Sequence, residues 1–506
     1  MPQNGTVCSS EVRIGHSLNE AESQHVASRR VMVQQCLQQH NISSSVDEVP
    51  IIAVLGSGGG ERAMIGLLGS LSQLSEEKLL DCIMYLSGVS GSTCCMAAVY
   101  KESDWSIRME TVKQNIIQRL GSGKVSHSVQ YNKLKKMCER DNVSVTNIWA
   151  ACFVSSVVKE IEDHLLTECR DQHTNDPYPI YTVIDKHCKH NTLYKDTWFE
   201  ITPDECGYSL TGAFVDSKCL GSQFVKGAKT EEHPEIDMLY LQGLCGSALA
   251  DGDKIRKWIS HKLQHFFKLS EEKMPTKEPK MKEGHQVLCT LLELNHHFLS
   301  GEDHRNHITK MNELLKGSSF ILTCIMKFCQ WDWGTTYNFL YKMKVDEVHP
   351  SILKSKTRQY EDAGLLVNSP YFSVLRKERN VDLIISLDFS DGDPFETVDK
   401  AAQICKDLQI PFPTVEHHGT HEEPKDFYVF NDNPNAPTVI HIPFFNAGNC
   451  KGEVNMWKNR YQTFQSAYND KMISDLLEKA GLNITNTKKK LLREIEEVIK
   501  KKKEHS

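Results

Sequence analysis

The sequence predicts an α/β fold with a central, mostly parallel sheet flanked by helices. Three observations predict it. The β-branched run Ile51-Ile52-Ala53-Val54-Leu55 has the composition of a strand buried on both faces, and it stops at the glycine cluster Gly56-Ser57-Gly58-Gly59-Gly60. A second apolar run, Cys82-Ile83-Met84-Tyr85-Leu86, also ends in a turn, Ser87-Gly88-Val89-Ser90-Gly91. Helical segments follow both turns. Met64, Leu67, Leu68, Leu71 and Leu74 share one face of the first, and Ser92–Tyr100 forms the second.

Two parallel strands joined by a helix leave their C-terminal ends on one edge of the sheet. The glycine cluster and the Ser90 turn are therefore expected side by side. Further strands are expected at residues 381–387 and 438–442. Residues 1–48 are polar and mixed, with a modest helical stretch over 26–37, and read as a leader that packs loosely on the core or is partly disordered. The main domain is placed at residues 49–470. A lysine- and glutamate-rich stretch within it, 265–315, reads as a flexible insertion or lid, and 471–506 as a basic helical tail.

The bulk numbers exclude several classes. The chain has 506 residues, 40% hydrophobic and 25% charged, within the range of globular domains. Its 59 basic and 66 acidic side chains give a net charge of −7, which argues against a nucleic-acid partner. The 17 cysteines are scattered, without paired spacing for zinc, so free thiols in a reducing compartment and no metal are expected. The N-terminus has no signal-peptide layout and no run of 18 apolar residues occurs, so a cytoplasmic chain without a membrane span is expected.

Gly88-Val89-Ser90-Gly91-Ser92 suits a nucleophile. Small neighbours let the backbone take a sharp strand-to-helix turn that exposes the serine Oγ, although Ser92 stands where the common G-x-S-x-G pattern has glycine. Ester attack also creates an oxyanion. Gly59 and Gly60 can present two backbone N–H groups to it, backed by a helix N-terminus. The same loop is not a Walker A motif, because Glu61-Arg62 follows Gly60, and it lacks the third glycine of a dinucleotide fingerprint. Arg62 is a candidate cation for a phosphodiester. A base for Ser90 cannot be chosen by type alone among Asp362, Asp382, Asp388 and Asp391.

These motifs, together with Trp198–Pro203, Gly243–Ala248, Trp333–Tyr341, Asp362-Ala363-Gly364-Leu365 and Val381–Ser390, resemble the group IV cytosolic phospholipase A2 catalytic domain over roughly residues 48–470. The resemblance implies a patatin-like fold and a Ser–Asp dyad of Ser90 and Asp362. It also implies Gly59 and Gly60 as oxyanion donors, Arg62 and Arg379 as substrate-binding residues, and no cofactor. It further implies phospholipid and lysophospholipid substrates at a membrane surface, with acyl transfer to a lysophospholipid as a side activity. The catalytic motifs begin near residue 50, so the form without a calcium-binding C2 module is expected, and calcium-independent action with it. The chain ends Lys503-Glu504-His505-Ser506, without the cysteine of a prenylation box.

Two residues depart from the family pattern: Glu61 where an apolar residue is expected, and Cys94 where tryptophan is usual. They point to altered substrate preference. Two other readings stay open. Ser90, Asp362 and His441 have the chain order of an α/β-hydrolase triad. A non-enzymatic lipid-binding protein would fit the charge of Glu61. Leu491, Leu492, Ile495, Val498 and Ile499 share a helical face, which either rests on anionic lipid or docks on the domain.

Overall fold

The computed structural model describes residues 12–139, 142–170, 172–247, 332–416, 423–463 and 468–505; the stretch read as a lid lies outside them. The strands, in chain order, are Val12–Ile14 (β1), Ile52–Gly56 (β2), Tyr85–Gly88 (β3), Tyr178–Asp185 (β4), Trp198–Ile201 (β5), Glu205–Tyr208 (β6), Ala213–Asp216 (β7), Gln223–Val225 (β8), Ala228–Glu231 (β9), Thr335–Tyr337 (β10), Thr357–Asp362 (β11), Leu383–Asp388 (β12), Tyr428–Phe430 (β13) and Thr438–Pro443 (β14). All but the β8–β9 hairpin join one sheet, ordered β1-β7-β6-β5-β4-β3-β2-β12-β14-β13, with β11 on β4 and β10 on β11.

The five strands β4-β3-β2-β12-β14 are mutually parallel, as expected for runs buried on both faces. Every residue of these five strands is buried. The remaining strands pair antiparallel. The main deviation from the expected boundaries is at β3. Residues 80–82 form a 3-10 turn, and the ladder starts only where the Met84 amide reaches Ile52 O at 2.8 Å. Cys82 is apolar because a helix covers it, not because it sits in the ladder.

That helix, Glu20–Gln39 (α1), corrects the reading of the N-terminal segment as loosely packed. β1 pairs with β7, and α1 buries Glu22, Val26, Arg29, Val33, Cys36 and Leu37. Arg29 donates to the carbonyls of Ile83 at 2.6 Å and Leu80 at 3.3 Å. Charges used as internal hydrogen-bonding groups leave a helix with no clear apolar stripe, which is why the segment looks like a polar leader.

Glu61–Glu76 (α2) follows β2, and Gly91–Tyr100 (α3) follows β3. Against α2 lies the C-terminal helix Asp470–His505. Gly69 permits the approach: a Cβ there would stand 2.8 Å from the Ala480 Cβ. Leu491, Ile495, Val498 and Ile499 are all buried. Lys488 pairs with Glu77 and Lys502 with Asp382, each at 2.7 Å. The apolar face that could have met lipid is thus taken by the domain. No helix among the described residues is long and apolar enough to cross a membrane.

Candidate active site

In an open parallel sheet, the C-terminal strand ends open onto a crevice where ligands bind. β2 and β3 deliver both predicted turns to that edge. Ser90 is the first residue past the β3 turn and caps α3, with φ 52° and ψ −122°, a left-handed backbone rare for a side chain with a Cβ. Gly91 lets the two turns touch: a Cβ on it would stand 1.9 Å from the Gly60 carbonyl oxygen. Replacing Gly91 with alanine must push the loops apart, so we expect a loss of about 3 kcal/mol. Urea denaturation of the variant checks this.

The departure at Ser92 has a structural reason. Its hydroxyl donates to the Ser57 carbonyl at 2.7 Å and ties the start of α3 to the glycine loop. Gly56 leaves room for it, since a Cβ there would meet Ser92 Oγ at 2.6 Å. Gly59 and Gly60 have φ of 155° and 59°, and among the described residues their amides donate to no protein acceptor. They sit at the positive N-terminus of α2 beside Ser90.

Asp362 arrives by a route that the sequence does not reveal. β3 lies along one edge of β4, with Gly88 opposite Tyr181. β5 occupies the other edge. Beyond the end of β3, β11 takes the vacated edge in the opposite direction and ends with Asp362 opposite Val183. Two residues of a strand span about 7 Å, so β3 and β11 point their ends at one another, and the Ser90 turn and Asp362 share that gap. Asp362 is fully buried, its amide donates to Ser247 Oγ at 3.0 Å, and its Oδ1 accepts the Gly364 amide at 2.8 Å.

Asn368, which the sequence reading missed, joins the two halves. Its amide group donates to Gly58 O at 3.1 Å and to Ser390 Oγ at 2.7 Å, and its own carbonyl accepts the Gly58 amide at 3.0 Å. Its Oδ1 fills the space where a Cβ on Gly58 or Gly364 would be, at 2.4 and 2.8 Å. No residue-type signal singles out this asparagine.

The other aspartates are committed elsewhere. Asp382 accepts the Ile51 amide at 2.7 Å, Asp388 the Ser390 hydroxyl at 2.6 Å, and Asp391 the Thr463 hydroxyl at 2.9 Å. His441 lies in β14, in the row Ser87–Leu55–Ser386–His441, three strand spacings or about 14 Å from β3. It is buried, its Nε2 is 2.6 Å from Pro394 O, and burial pushes its pKa down.

Neither predicted arginine is open to a ligand as the structure stands. Arg62 is buried. Its Nε donates to Phe389 O at 2.7 Å, one terminal nitrogen to Tyr461 O and the other to Thr463 Oγ1 at 3.1 Å. It staples the glycine loop to two neighbouring segments. Arg379 is also buried, between Glu22 and Glu200, with bonds of 2.8 and 2.7 Å and a further one to Ser373 O. Burial raises the Glu200 carboxyl, but Arg379 and Arg376 outweigh it and hold it at about 2. Among the described residues, neither arginine donates to the Ser90 turn.

Glu61 accepts the Tyr468 amide at 3.1 Å, yet burial pushes its carboxyl up to about 7. Burial does the same to Glu162. The half-buried Cys94 thiol is raised to about 12 by burial, then by Glu162 and Asp362, so it is a neutral neighbour of the aspartate. The folded chain holds the Glu61 and Glu162 protons up to about pH 7, while an unfolded chain releases them near 4.5. Both carboxyls therefore favour folding fully below pH 4.5, and that contribution is lost as pH rises to 7. Glu61→Gln is expected to flatten part of this slope. In thermal melts its Tm should exceed the wild type at pH 8 and match it near pH 4.5.

Comparison with known proteins fits this geometry. Residues 52–252 match the family model described as lysophospholipase catalytic domain. Human cytosolic phospholipase A2 gamma is 33% identical over 96% of this chain and 96% of its own length. The mouse protein of that name is 31% identical over 95% and 91%. Human GIVD cytosolic phospholipase A2 has a similar fold, with a TM-score of 0.75 at 22% identity over 98% of this chain and 69% of that one. With a third of its residues shared with one such enzyme along nearly the whole of both chains, this protein belongs to the cytosolic phospholipase A2 family and is a phospholipase hydrolase.

Proposed function

We propose that this chain hydrolyses fatty-acyl esters of glycerophospholipids and lysophospholipids through an acyl-serine on Ser90, with Asp362 as its base and without calcium. The observation that carries this reading is the head-on approach of β3 and β11 along one edge of β4, which puts Asp362 beside the Ser90 turn. Asp362 takes the Ser90 proton as Oγ attacks the ester carbonyl. The Gly59 and Gly60 amides stabilise the oxyanion. Asp362 then protonates the departing glycerol oxygen. Water, deprotonated by the same carboxylate, releases the fatty acid and restores Ser90. A lysophospholipid hydroxyl in place of water gives the transacylase side reaction.

The position of His441 three strands away favours a Ser–Asp dyad over a triad. Arg62 and Arg379 act in this reading by holding the loop and the sheet behind it, and the buried Arg62 charge adds positive potential beside Gly59. The enzyme works in the cytoplasm, peripherally bound to membranes. Lys489, Lys500, Lys501 and Lys503 stay exposed on the docked C-terminal helix and support attraction to anionic lipid.

The test is fatty-acid release from mixed phospholipid and lysophospholipid vesicles with a calcium chelator present. Undiminished release supports the reading. Release only after calcium is restored sinks calcium independence, and no release under either condition sinks the hydrolytic reading.

A further inference from the structure

Away from the strand-end crevice, one pair of side chains is placed for chemistry that phospholipid hydrolysis does not use. Cys36 lies in the last turns of α1, and Cys82 in the turn before β3. Their sulfur atoms are 2.6 Å apart, well inside ordinary contact between unbonded heavy atoms. The Cys36 thiol also donates to Lys78 O at 3.1 Å, which aims it at this turn. Both residues are buried, Cys82 completely and Cys36 to within 3%. Pairing with Cys36 and burial both push the Cys82 thiol up, so Cys82 rests as a neutral thiol.

We propose that Cys36 and Cys82 are a reversible dithiol–disulfide modification site, oxidised by hydroperoxides. Cys36, at the end of a helix that can fray, reacts first. Its sulfur takes the terminal peroxide oxygen to become a sulfenic acid. The O–O bond breaks, and the other fragment leaves as an alcohol carrying the thiol proton. Cys82 sulfur then attacks Cys36 sulfur, and the sulfenic oxygen departs as water with the second proton. Two thiols lose one electron each, and the hydroperoxide gains two.

The bond joins residues 46 apart and fastens α1 to the sheet. α1 is the helix that presses Glu22 onto Arg379 and Tyr85, and Arg29 onto the turn at residues 80–83. Oxidation therefore locks the buried charge network behind β3, and reduction leaves α1 free to open.

The reduced full-length chain would be treated with hydrogen peroxide or a fatty-acid hydroperoxide, alkylated, and mapped by mass spectrometry without reduction. The expected result is a Cys36–Cys82 linked peptide that a dithiol reductant removes, with Tm a few degrees above the reduced chain. The partly exposed Cys94 and Cys138 serve as internal competitors. Oxidation of those two while Cys36 and Cys82 stay alkylatable, or linkage of either to another cysteine, overturns the proposal. Cys36→Ser should lose both the link and the Tm rise. If that variant fails to fold, the reduced and oxidised wild type decide the matter alone.

Discussion

Ser90→Ala is expected to lose at least ~10⁴-fold in fatty-acid release while folding as the wild type does, because the methyl group keeps the turn and removes only the proposed nucleophile. Residue 90 sits at φ 52°, so strain is already present with serine and alanine adds none. Ser90→Gly is the informative partner. Glycine accepts a positive φ without penalty, so that variant should be equally inactive yet about 1 kcal/mol more stable. Release assays on vesicles with parallel thermal melts read both halves. An inactive variant that is also unfolded would break the argument, as would activity retained in Ser90→Ala.

Asp362→Asn is expected to give the second large effect, a loss of about 10³- to 10⁴-fold in kcat, since an amide cannot serve as the proposed base for Ser90. The substitution keeps an oxygen that can accept the Gly364 amide, so the turn should survive. His441→Ala is the discriminating control. The β14 position of His441 predicts release within a few-fold of wild type once the variant is shown to be folded. Comparable collapse in both variants would restore the triad. Collapse of neither would remove Asp362 from the mechanism.

Part of this was legible in the sequence. β2, β12 and β14 announce themselves as β-branched runs, and the βαβ rule alone places the glycine loop beside the Ser90 turn. Local pattern gave less wherever the partner is distant in the chain. Asp362 reaches Ser90 through antiparallel pairing of β11 with β4, where its partner Val183 lies 179 residues earlier in the chain, and nothing in either strand reports that register. Asn368 bridges the two loops for the same long-range reason.

At the charges, residue type does not report the partners either. A guanidinium beside a glycine loop invites a phosphate, whereas Arg62 is held by two carbonyls, the Thr463 hydroxyl and the Asp391 carboxylate, and Arg379 by two carboxylates. α1 hid behind Glu22 and Arg29, which are polar by type and internal by position. The basic C-terminal helix kept its apolar stripe for α2. In each case the buried partner lies elsewhere in the chain, where periodicity within one segment has no view of it.

In the proposed mechanism, Ser90 carries the acyl group. The most direct measurement is rapid acid quenching of the enzyme during turnover of an ester substrate, followed by mass spectrometry of its peptides. The expected result is a fatty-acyl mass on the peptide that contains Ser90, accumulating in Asp362→Asn if deacylation slows more than acylation and absent from Ser90→Ala. An acyl group on another residue, or undiminished turnover in Ser90→Ala, would contradict it.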